Sequence, residues 1–120
     1  MPVVRILLGN IGGNWKSMVE DIAKDNSDIQ IVGHVENPVD VLLQARSENV
    51  DVVVLSQEID GSEPGIASHF VLEYPNVAVV LVPANGGGNV LCRTALYRET
   101  HTASKEALRK MLRKFKSSED

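Results

Sequence analysis

Asp51-Val52-Val53-Val54-Leu55-Ser56, followed by Gln57-Glu58-Ile59-Asp60-Gly61, decides how the rest of the chain is read. Four apolar residues stand in a row, three of them β-branched, with no polar alternation. A strand buried on both faces of a parallel sheet needs that pattern, because neither face meets water. Polar residues begin abruptly at Ser56, so the C-terminal end of the strand opens onto a loop that runs to Gly61. In open α/β sheets, ligands and chemistry gather at that edge.

Working outward, Val77 to Val82 (VAVVLV) is a second run of the same kind, and Val3 to Leu8 (VVRILL) a third. Ile29 to Val35 (IQIVGHV) alternates in part, as a more peripheral strand does. Ala95 to Thr100 (ALYRET) is weaker and more polar, the composition of a sheet edge. Between these runs the apolar residues fall at helical spacing. Trp15, Met18, Val19, Ile22 and Ala23 form one stripe behind a candidate N-cap at Asn14. Val39, Leu42, Leu43 and Ala45 form another behind Asn37-Pro38 and end near Asn49. Ile66, Phe70 and Val71 mark a third helix from about Pro64 to Tyr74, broken by Pro75-Asn76. Ser104 caps a last helix striped by Ala107, Leu108, Met111, Leu112 and Phe115, its outer face carrying Arg109, Lys110, Arg113, Lys114 and Lys116. Val90 to Thr94 is too short and mixed to assign as a helix. Alternating strands and helices imply parallel units with right-handed crossovers. The expectation is an α/β fold, a doubly wound five-stranded parallel sheet in flavodoxin-like order 2-1-3-4-5, in three layers. One domain spans 1–117, with a frayed tail at 118–120.

Bulk composition narrows the function. The 120 residues carry 43% hydrophobic and 23% charged side chains and a net charge of −4, which gives no global case for nucleic acid or an anionic membrane. Half of the twelve Lys and Arg residues lie in 105–120, so the basic charge is concentrated in the last helix. No apolar run approaches the roughly 20 residues that span a bilayer. The single cysteine, Cys92, excludes an internal disulfide, and with no secretory leader pattern at the N-terminus the expected location is cytoplasmic.

Over nearly its full length the chain resembles a response-regulator receiver domain. The similarity is closest in Arg5 to Ala45 and Val50 to Gly61. Met18-Val19-Glu20-Asp21-Ile22-Ala23 and Asp28-Ile29-Gln30-Ile31-Val32-Gly33 look like that family's first helix and second strand. Asp51-Val52-Val53-Val54-Leu55 matches its phosphoacceptor strand, and Gly61 its following glycine. The family moves a phosphoryl group from a partner's histidine to an aspartate. It uses two acids for Mg²⁺, a hydroxyl after strand four and a lysine after strand five, since a hard cation wants oxygen ligands and phosphoryl charge wants cations and donors. By the resemblance, the nucleophile position falls on Ser56, the acid pair on Asn10 and Ile11, the hydroxyl on Pro83, and the lysine on Thr100 or His101. None of the required groups is present. The resemblance therefore implies a degenerate receiver of two-component signal transduction type, not phosphorylated on aspartate, not an enzyme, and without cofactor or metal.

In receivers the face of the fourth helix, fifth strand and fifth helix commonly carries partner contacts. Here that implies Val90 to Lys116, with Tyr97, Arg98, Lys105, Arg109, Lys110 and Arg113 as the partner-binding residues, for a protein partner or a homodimer. The rival expectation is a small-ligand or anion binder using Gly9-Asn10-Ile11-Gly12-Gly13-Asn14 and Gly86-Gly87-Gly88 at the strand C-termini, where backbone N–H groups can approach an anion. The first loop fits neither G-x-G-x-x-G nor a Walker A pattern, and reads first as a turn and cap. His34, His69 and His101 lack metal spacing. Of the three, His101 lies nearest the site edge, where an imidazole acts as a switch. Cys92 has no adjacent basic cluster or C-x-x-C pattern to activate it, and Trp15 is expected as partly buried core rather than a binding platform.

Overall fold

The computed structural model describes residues 3–47, 49–58, 64–84, 88–96 and 98–115, with Pro38 and Val39 as backbone only. The expected tail at 118–120, Lys116, Tyr97, Gly61 and Gly86-Gly87 lie outside the described residues. The elements run β1 (Val4–Leu8), α1 (Gly13–Asp25), β2 (Ile29–His34), α2 (Pro38–Ser47), β3 (Val52–Ser56), α3 (Gly65–Glu73), β4 (Ala78–Val82), β5 (Asn89–Arg93), β6 (Arg98–Thr102) and α4 (Lys105–Arg113). The result is an α/β protein with one six-stranded mixed sheet, ordered β2-β1-β3-β4-β5-β6.

The first four strands are parallel and take the doubly wound order. β1 to β2 steps one way along the sheet, and β2 to β3 to β4 steps back the other way. Right-handed crossovers then place α1 on one face and α2 and α3 on the other. Alternation sorts the core accordingly. On one side Ile6, Leu8, Val54, Val80 and Val90 pack against Trp15, Val19 and Ile22 of α1 and Leu108, Met111 and Leu112 of α4. On the other, Leu7, Val53, Leu55, Val79 and Leu81 meet Val41 and Ala45 of α2 and Ala67, Phe70 and Val71 of α3. α4 starts as its sequence implies, with the Ser104 hydroxyl accepting the Ala107 N–H at 3.0 Å.

Beyond β4 the expected five-stranded parallel sheet is wrong. Asn89–Arg93 is a strand antiparallel to β4, and β6 returns antiparallel to β5. A parallel return needs a crossover of about a dozen residues or more. Only 83–88 separate β4 from β5, and only 94–97 separate β5 from β6, so the chain folds back in hairpins instead. The weak strand expected at 95–100 is displaced to Arg98–Thr102. Two helix ends also shift: α1 begins after Gly12 with no side-chain cap, so Asn14 is not its N-cap. α2 stops at Ser47, and Asn49 follows it in the left-handed region, φ 54°, where asparagine is among the better tolerated side chains.

Candidate functional site

The C-terminal edge of the parallel strands gathers most of the expected positions. Gly9 leaves β1 so close to β3 that a Cβ there would stand 2.5 Å from the Leu55 Cδ2 atom. Its N–H donates to the Val54 carbonyl at 2.8 Å. Asn10 is exposed beside it, and Ile11 turns inward, 8% exposed. Trp15, one turn into α1 and 3% exposed, donates its indole N–H to the Pro83 carbonyl at 3.0 Å, across a buried contact. The start of α1 is thus tied to the end of β4, with Trp15 and Ile11 both in the core on that face of the sheet. Trp15 is core, as its helical spacing implies.

On the other side of β1 and β3 a cleft of about 250 Å³ opens at the point where the sheet order reverses. Val41, Leu55, Pro64 and Ile66 give it apolar walls, and Asn10, Ser56, Gln57, Glu36 and Glu58 its polar lining. The Ser56 hydroxyl donates to the Gln57 carbonyl at 3.2 Å. Among the described lining residues there is no histidine or lysine, and the carboxylates that share the cleft with this hydroxyl are those of Glu36 and Glu58. Among the described residues no three His, Cys, Asp or Glu side chains converge to hold a metal ion.

Thr100 and His101 do not join this site. β5 intervenes, so β6 lies three strand spacings from β3, about 14 Å at ~4.8 Å per step. His101 is instead 53% exposed and sits 3.3 Å from Glu99 on its own strand. Lys114 reaches the same carboxylate at 2.6 Å, and this bond, with a smaller contribution from His101, holds Glu99 below the ordinary glutamate range. The structure also assigns work to Gln57, which sequence reading passed over. Its side-chain amide donates to the carbonyls of Leu81 (3.2 Å) and Asn89 (2.8 Å), and its backbone N–H to that of Val82. One residue thereby joins the ends of β3, β4 and β5. A lone glutamine after a strand carries no periodic signal that could have revealed it.

The basic residues of α4 divide into paired and unpaired ones. Arg109 is bonded to Glu106 one turn away, which lowers the Glu106 pKa and raises that of Arg109. Arg113 reaches Asp28 through two nitrogens, at 3.1 and 3.3 Å, clipping α4 to the turn before β2. It is not a free outer-face charge as its helical position implied. Lys105 and Lys110 take no ion-pair partner among the described residues. Arg98 is exposed on β6. His34 and His69 are exposed and far apart in the chain, and Cys92 is buried, its thiol pushed up to about 12 by burial, then by Glu99. Among the described residues no helix is long and apolar enough to cross a membrane. Compared with protein-family models, with curated proteins and with solved structures, the chain matches none.

Proposed function

We propose that this chain is a non-catalytic, receiver-like signalling module that acts by contact with another protein. The observation that carries this reading is the make-up of the strand edge to which the resemblance assigns phosphorylation. Where phosphoryl transfer through Mg²⁺ needs carboxylates and a lysine, Asn10 and Ser56 line the cleft, Ile11 is buried in the core, and Thr100 and His101 lie away on β6. The parallel order β2-β1-β3-β4 with helices on both faces is compatible with a receiver-like ancestor, and the β5–β6 hairpin is a departure from it. α4 supplies the contact surface: Arg109, Lys110, Arg113 and Lys114 line one shallow basic depression, and Lys105 extends it. An acidic protein surface is its complement.

The test is capture of a partner from the native cell extract, by wild type and by Lys105→Glu with Lys110→Glu. Among the described residues these two charges hold no ion pair, so the reversal should leave the monomer folded. Loss of the partner, with a flatter salt response of any residual binding, is expected. Undiminished capture would move the contact elsewhere. Incubation with acetyl phosphate and Mg²⁺ should give no incorporation, and labelling that disappears in Ser56→Ala would overturn the reading.

The cleft beside Ser56 supports a second reading, a small-ligand site. Glu36 and Glu58 line it with no cation among the described lining residues, which disfavours the anion expected from the glycine loops and favours a neutral or cationic molecule. Ser56→Tyr fills the cleft and leaves α4 untouched. If Ser56→Tyr abolishes function while the lysine reversal spares it, the ligand site is the better description.

A further inference from the structure

β6 ends the sheet, and its outer edge carries an ordered series of polar side chains. Natural sheets blunt such edges with charged side chains, lysine above all, and with proline, very short strands or bulges. The opposite edge follows that rule: the β1–β2 register shifts between Ile6 and Leu7, leaving Val32 out of the pairing. β6 has no bulge, proline or lysine, carries its charge on Arg98 and Glu99, and pairs with β5 over all of Arg98-Glu99-Thr100-His101-Thr102. Among the described residues no strand pairs with its other side.

We propose that two copies of this chain join edge to edge along β6, giving one sheet continuous through both. The dimer draws nothing from the receiver resemblance. A two-fold axis that continues a sheet with antiparallel strands stands perpendicular to it, so both copies keep α4 on the same face. Facing residues must then come from the same side of the strand, and full overlap puts the axis through Thr100. In that register Glu99 lies opposite His101 of the second copy, twice, on the face where α4 packs. Thr100 faces its own equivalent, and Arg98 faces Thr102. Shifting the axis by one residue to Glu99 sets the two carboxylates against each other. Shifting it to His101 does the same with the imidazoles. The order of donors and acceptors along the strand therefore selects one register, since it sets an imidazole opposite each carboxylate and threonine opposite threonine, a favourable cross-strand pair.

Both side chains are placed for this. His101 is 53% exposed, and Glu99 holds Lys114 and His101 with acceptor capacity remaining. Ala107, Lys110, Met111 and Lys114 of α4 line the adjoining cleft. Its two lysines add positive charge where each copy's Glu99 meets the other.

Sedimentation equilibrium across a concentration series reads the association. Wild type should dimerise reversibly. His101→Glu sets two carboxylates opposite each other at both symmetric contacts and should weaken the dimer about tenfold or more. His101→Lys, which keeps a donor opposite Glu99, should leave it at least as tight. Far-UV circular dichroism checks that both variants are folded. Thr100→Cys places two thiols across the axis, and mild oxidation should lock a reducible covalent dimer. Wild type, whose one cysteine is buried, should not be locked. A chain that stays monomeric throughout the series overturns the proposal. So does a dimer indifferent to His101→Glu, or one that Thr100→Cys fails to lock.

Discussion

Removing the indole of Trp15 tests the tie between the start of α1 and the end of β4. Two substitutions separate its parts. Trp15→Phe keeps an aromatic ring between α1 and the sheet but deletes the donor to Pro83, a buried 3.0 Å bond. Losing a buried hydrogen bond and leaving its acceptor without that donor costs about 1–2 kcal/mol. Trp15→Ala removes the packing as well, and large-to-small changes of a buried tryptophan cost about 3–5 kcal/mol. The site is 3% exposed and surrounded by core residues, so little relief by solvent is available. For 120 residues the unfolding entropy near 60 °C is about 0.25 kcal/mol/K, so the melting point should fall about 4–8 °C for Trp15→Phe and about 12–20 °C for Trp15→Ala. Thermal and urea unfolding followed by far-UV circular dichroism measure both, with an unchanged urea slope showing that the unfolded state is not the cause. Since Trp15 is the single tryptophan, wild-type fluorescence reports this site alone and should shift red in the same transition. If Trp15→Phe is neutral and Trp15→Ala costs under about 1 kcal/mol, the indole does not tie the start of α1 to the end of β4.

Other positions yield sharper contrasts than absolute values. Val53, fully buried on β3, should cost roughly 1–3 kcal/mol as Val53→Ala, whereas Ser56→Ala at the strand's end should stay under about 1 kcal/mol; equal costs in urea unfolding would contradict the β3 register. Gln57→Ala removes two side-chain bonds that join β3 to β4 and β5, and should cost about 1–2 kcal/mol, with faster amide exchange in Asn89–Arg93 as its local signature. Cys92 has a folded-state pKa of about 12 against an ordinary 9.0, so its contribution to stability is whole below pH 9.0 and is lost as pH climbs toward that higher value. Cys92→Ala should therefore lose less stability than wild type over that alkaline range, and native protein should resist thiol reagents until it unfolds. Glu99 has the opposite sign: its lowered pKa contributes stability above the ordinary 4.5 that is lost as pH falls through the folded value, and Glu99→Gln should flatten that acid limb of a pH titration of the melting point.

Local pattern determined a good deal of this protein. The runs Val52–Leu55 and Val77–Val82 announce strands with no wet face, and the structure buries them at the centre of the sheet. The stripe of α4 and its Ser104 cap are equally plain, because a helix that covers a core must repeat its apolar residues with the helical turn. The same logic makes Trp15 core. What periodicity cannot encode is the partner on the other side. Asn89–Arg93 alternates buried and less buried residues, yet five residues of mixed character fit a short helix as well as a strand. The short connections at 83–88 and 94–97, and the open side of β4, decided that it pairs antiparallel. That pairing moved Thr100 and His101 to an outer edge, away from Ser56. The Trp15–Pro83 bond joins residues 68 apart, and Arg113 meets Asp28 across 85. Such contacts exist only once the strand order brings α1 beside the end of β4 and α4 beside the turn before β2. A side chain's burial is written in its neighbours along the chain, but the group it bonds is chosen by where the sheet carries distant segments.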